Sequence, residues 1–147
     1  MTRSVAEVAR RFVDSYLGTN PDPDFEELYA PKVLAWHNFD AKKVEYRGNE
    51  LAKMQLERLA QVKRLMPNFR IQDFTMHVAE SAFIFVQTWV GTLPDGTPVR
   101  IPGVVVWEVK DGRIITVNAV GDFKQREAME MALAAGAISL VEAGTRE

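Results

Sequence analysis

The sequence predicts an α+β fold: a curved antiparallel sheet, wrapped by N-terminal helices into a cone, with a C-terminal helix. Three observations predict it. Apolar residues recur at helical spacing in the N-terminal part of the chain, then at every second position from about Phe69 to Val120. Two glycine turns, PDG at Pro94–Gly96 and KDG at Lys110–Gly112, cut the alternating part into strands that fold back on each other. The tail from Phe123 is rich in Ala, Met and Glu, which favour helix. Helices on one side of a bent antiparallel sheet make a layered α+β domain. A strongly bent sheet closed by helices leaves a cone-shaped hollow, a natural place for a small ligand.

From Ser4 to Leu17, Val5, Val8, Phe12, Val13, Tyr16 and Leu17 give one apolar face, with Glu7, Arg10, Arg11 and Asp14 largely on the other. Gly18 is the stop. NPDPDFEELYAP then reads as a turn and a short helix, with Pro23 at its start, Asp22 a candidate cap and Pro31 its end. A strand follows from about Val33 to Phe39, and a short extended piece lies around Val44 to Tyr46. A longer helix runs from about Asn49 to Met66, its buried stripe formed by Leu51, Met54, Leu59, Val62, Leu65 and Met66, and Pro67 closes it. Phe69–Val78, Ala82–Leu93, Val99–Val109 and Arg113–Val120 are β-branched and aromatic strands of an antiparallel meander. The final helix starts near Phe123, with Gly136 a candidate break.

Composition narrows the function. At 147 residues the chain is one ordinary domain, 1–147, and 47% apolar content supports a real core. A net charge of −2 offers no basic field for nucleic acid. No apolar run is long enough to span a bilayer, and MTRSVAEVARRF lacks a signal-peptide core, so a cytoplasmic address is expected. Without cysteine there is no thiol chemistry and no cysteine metal site; with only His37 and His77, neither beside clustered carboxylates, no metal is expected. No P-loop, dinucleotide fingerprint or nucleophile elbow is present, and no cofactor is expected.

Three stretches carry a family resemblance: RRFVDSYLGTNPDPDFEELYAPKV, WHNFD, and VVVWEVKDGRIITVNAVGDF, a hairpin ending in an aspartate. Their order and spacing resemble the SnoaL-like family, within the nuclear transport factor 2-like and ketosteroid-isomerase-like superfamily. The resemblance spans about Val5 to Glu130 and implies the cone fold and a homodimer packed sheet to sheet. The superfamily holds isomerases, polyketide cyclases, epoxide hydrolases, dehydratases and proteins that only bind, so the fold alone carries no chemistry. Where the isomerases resembled here place a carboxylate base, this chain has His37. Their tyrosine donor falls at Phe12, with Tyr16 one turn on, and their acid donor falls near Val104. The Asp–Arg–Asp set of the epoxide hydrolases is replaced by Gln87 and Trp89, with no acid near Asn118 and Ala119. The aspartate that the cyclases use after the last strand is matched by Asp122.

His37 shares a strand face with Val33 and Ala35. It is a candidate acid–base group, a hydrogen-bond donor to a ligand, or a core histidine. Asp122 is a candidate base or orienting group for His37, or the N-cap of the last helix. Tyr16 repeats Phe12 at i+4 and is either core or a donor to a ligand oxygen; Asn118, a polar residue among apolar strand neighbours, ties backbone or faces ligand. Phe12, Met54 and Trp89 are candidate ligand-contacting walls. Arg100 and His77 are expected at the surface. The expected activity is binding of a small, mostly apolar molecule and its conversion by cofactor-independent proton transfer, of isomerase, cyclase or dehydratase type. The alternative is a non-catalytic ligand-binding or dimeric interaction module.

Overall fold

Helix α1 (Val5–Leu17) begins where the Ser4 hydroxyl accepts the Glu7 N–H at 3.1 Å, satisfying one of the four donors a helix start leaves open. The computed structural model describes residues 2–18, 22–38 and 40–145, of which 137–145 are described by their backbone alone. A 3-10 turn, Phe25–Leu28, follows α1. Ahead of it, Asp22 accepts the Asp24 N–H at 2.8 Å and pairs with Arg11 at 2.9 Å, and these bonds hold its carboxyl below the usual carboxylate range. The remaining elements are β1 (Tyr29–His37), β2 (Val44–Arg47), α2 (Gly48–Leu65), β3 (Arg70–Val78), β4 (Ala82–Thr92), β5 (Pro98–Lys110), β6 (Arg113–Gly121) and α3 (Phe123–Thr145).

The strands form one curved, unclosed sheet in the order β2-β1-β6-β5-β4-β3. β3 to β6 are the expected antiparallel meander. The sheet as a whole is mixed, because β1 runs parallel to β6. Both turn glycines take positive φ, Gly96 at 90° and Gly112 at 72°; Asp111 joins Gly112 at 52°, the backbone that a tight two-residue hairpin needs. β1 starts at Tyr29, four residues before the expected Val33, and so includes Pro31. The β1–β6 register is irregular between Tyr29 and Leu34, which accommodates a residue without an N–H. Phe39, the expected end of that strand, lies outside the described residues. Gly136 does not break α3, whose backbone continues to Thr145.

The core gathers on the inner face of the sheet. Phe12 of α1 inserts among Phe25, Phe83, Phe85 and Trp107, with ring centroids 4.3–5.9 Å away. Phe83 is fully buried and lies nearly parallel to Trp107. Removing one such ring costs about 3–5 kcal/mol. A second cluster, Val62, Met66, Leu93, Val99, Ile101 and Met129, fixes α2 and α3 over the far end of the sheet. Among the described residues, no helix is long and apolar enough to cross a membrane.

Candidate functional site

Strand alternation and register together build a hollow. On the inner face, Phe85, Val105, Ala119 and His37 form one row across four strands, because Phe85 pairs with Val105, Val105 with Ala119, and Ala119 with His37. The next row is Gln87, Gly103 and Gly121. All seven border a cavity of about 530 Å³ beneath α1, α2 and the start of α3. Three of them are small (Gly103, Ala119 and Gly121), so the sheet is hollowed between His37 and Gln87. Gly103 cannot be enlarged cheaply, since a Cβ there would lie 2.9 Å from the Val120 carbonyl.

His37 ends β1 with its imidazole at this cavity. The following turn returns Asp40 to it. One carboxylate oxygen accepts the His37 backbone N–H at 2.8 Å and lies 3.3 Å from Nδ1. A carboxylate only accepts, so Nδ1 carries the shared proton and Nε2 carries the lone pair of the neutral ring. Burial lowers the His37 pKa, and Arg126 and Arg58 push the same way, while Asp40 opposes them. The ring is therefore largely neutral at pH 7, the form that takes up a proton. Asn38 continues the ladder by side chain, its amide nitrogen donating to the Gly121 carbonyl at 2.9 Å.

Tyr16 lies on the opposite wall. The Trp89 indole N–H donates to its hydroxyl at 2.9 Å, and the hydroxyl donates to Gln87 Oε1 at 2.9 Å. Burial raises the Tyr16 pKa to about 12, against these two hydrogen bonds, so it remains a phenol. With its oxygen engaged by Tyr16, Gln87 keeps its NH₂ as the donor end of the amide. Phe12, Met54 and Trp89 also border the cavity, Phe12 as part of the core and Met54 as an exposed side chain of α2.

Two candidates fall elsewhere. Asp122 follows the last residue of β6 and caps α3, its Oδ1 accepting the Gln125 N–H at 3.0 Å; it is not a cavity-lining residue. Asn118 pairs with Val106 and Trp36 on the outer face, since Val117 and Ala119 point inward, and it too stays outside the cavity. His37 and Asp122 thus do not form the pair that the sequence suggested; the carboxylate beside His37 is Asp40. His77 and Arg100 are exposed.

Arg58, Arg126 and Asp40 are among the cavity residues that sequence reasoning missed. Arg58 comes from α2 and Arg126 from α3, and both pair with Glu130, Arg126 through Nε at 3.1 Å. The Arg126 guanidinium also lies 5.2 Å above the Trp89 ring. Burial lowers the Arg126 pKa to about 10, with Arg58 adding to the shift, so Arg126 remains a cation at neutral pH. Asp40, three residues after His37, carried a short-range signal that a turn scan could have caught. Nothing in the local sequence links Arg58 to Arg126. Among the described residues, no group of three or more His, Asp or Glu side chains is placed to hold a metal ion.

Residues 9–117 match the family described as the SnoaL-like domain. No curated protein matches the chain. Among solved structures, the chain is similar to a nuclear transport factor 2-like protein from Burkholderia thailandensis (TM-score 0.64, 16% identity, 87% of this chain and 98% of that one). It is also similar to a candidate SnoaL-like polyketide cyclase from Jannaschia sp. CCS1 (TM-score 0.57, 16% identity, 88% and 91%). A third is a protein with a ketosteroid-isomerase-like fold from Catenulispora acidiphila, solved with trimethylamine (TM-score 0.53, 15% identity, 79% and 85%). At these identities the likeness is one of fold.

Proposed function

The chain belongs to the SnoaL-like domain family, and on that premise we propose that it works as one domain whose cone cavity binds a small, mostly apolar molecule and moves a proton on it. The observation that carries this reading is the His37–Asp40 pair at the edge of a cavity walled largely by Phe85, Trp89, Trp107, Val105 and Leu51. A neutral imidazole held by a carboxylate at Nδ1 can take a proton from carbon through Nε2 and return it to a neighbouring atom, with Asp40 supporting the imidazolium between the two steps. The Trp89–Tyr16–Gln87 chain supports the reading from the other wall, because it offers an oriented amide donor to a ligand carbonyl or hydroxyl.

The test is to identify small molecules extracted from the purified protein by mass spectrometry, return them to it in D₂O, and follow deuterium incorporation by NMR. Wild-type protein should exchange or convert the ligand, and His37→Ala should bind it but lose that activity. If wild-type protein holds the ligand without exchange or turnover, and His37→Ala changes only affinity, the protein is a binding module.

The outer face supports a homodimer. Val86, Val104 and Val120 are paired across β4, β5 and β6 and are all exposed, an apolar row with Ile84 and Val106 beside it. A second copy packed sheet to sheet would cover it.

A further inference from the structure

We infer that the ligand carries an acidic group seated against Arg126 and Arg58, at the side of the cavity where α2 meets α3. This rests on the reading that the cavity binds a small apolar molecule, and it adds the chemical class: an organic acid with an apolar body.

Three features support it. First, two helices distant in sequence each send a guanidinium to the cavity, where both pair with Glu130. Second, the Arg126 side chain is only 21% exposed, and burial in an apolar setting strengthens its field toward a ligand. Third, both arginines act against protonation of His37, so their positive potential extends across the hollow to the proposed base.

Other carboxylates also lie at the cavity. Asp40 is bonded to the backbone and ring of His37, and Glu57 of α2 borders the opening. They would favour a cationic ligand, so the sign of the preferred ligand charge decides the matter. A guanidinium–carboxylate contact can be bidentate and is stronger than a neutral hydrogen bond.

Three probes of one shape provide the test: 2-naphthoate, its methyl ester, and 2-naphthylmethylammonium, titrated calorimetrically at pH 7.5 and low salt. The acid should bind roughly ten- to a hundredfold tighter than the ester, as expected for a charge-assisted contact, and the ammonium should bind weakest. Arg126→Met should bring the acid down to the ester's affinity and leave the ester unchanged. Glu130→Gln should raise the acid's affinity several-fold, because it removes the carboxylate that competes for both arginines; a purely structural ion pair gives no such gain. An ester or ammonium that binds as well as the acid overturns the inference, as does an acid preference that survives Arg126→Met or an acid affinity that falls in Glu130→Gln. Ester binding without acid preference refutes this inference and leaves the proposed function standing. No binding by any probe overturns both.

Discussion

Asp122 separates capping from catalysis. In the structure its Oδ1 holds the Gln125 N–H at 3.0 Å, which makes it the N-cap of α3 with Gln125 at the third helical position. Asp122→Ala removes that bond and the acid facing the positive end of the helix. Losing the cap costs about 1 kcal/mol, and the lost charge–dipole term adds about 0.3 kcal/mol for so exposed a group. For a protein of this size, that lowers the melting temperature by about 2–5 °C. Asp122→Asn keeps a cap that ranks with aspartate and gives up only the charge, so it should cost less than about 0.5 kcal/mol. Urea unfolding of the three proteins, with probe binding measured on each, reads both quantities. Equal destabilisation by Ala and Asn would refute capping. So would an Asn variant of native stability that has lost ligand binding or turnover, since that result would return Asp122 to the reaction.

Two further outcomes follow from the same geometry. Replacing Val104 with Lys puts a charge at the middle of the exposed valine row and should convert a dimer to a monomer in sedimentation at micromolar concentration; a wild-type protein that is already monomeric there refutes the dimer. His37 should titrate below the ordinary histidine value of about 6.5. The unfolded chain then takes up the proton first as pH falls, so stability drops from about pH 6.5 down through the folded-state midpoint and levels off below it. Urea midpoints from pH 7.5 to pH 5, compared with His37→Gln, should show this slope in wild type and its loss in the variant; an NMR midpoint for His37 above 6.5 contradicts the cause assigned here.

Much of the site's backbone was readable without coordinates. Alternation from Val33 and Ala35 put His37 on the inner face, and the structure has all three there. The same alternation, counted from Val117 and Ala119, sends Asn118 outward, so a polar residue among apolar strand neighbours does not by itself mark a cavity-facing amide. Asp122 was open to two readings because one aspartate before a helix serves equally as cap or ligand-facing acid in sequence. The distinction lies in where Oδ1 points.

The sequence alone determined the period of each element, the positions of both positive-φ turns, the antiparallel meander and the inward face of His37. These are local properties, set by side chains within a few residues of one another. Only the tertiary structure decided that β1 enters the sheet parallel to β6, that Asp40 and not Asp122 supports the imidazole, and that Arg58 and Arg126 meet over one cavity. The physical reason is sequence separation. Register between β1 and β6 and the meeting of α2 with α3 are fixed by packing between residues some seventy or more positions apart, and no short window of sequence contains both partners.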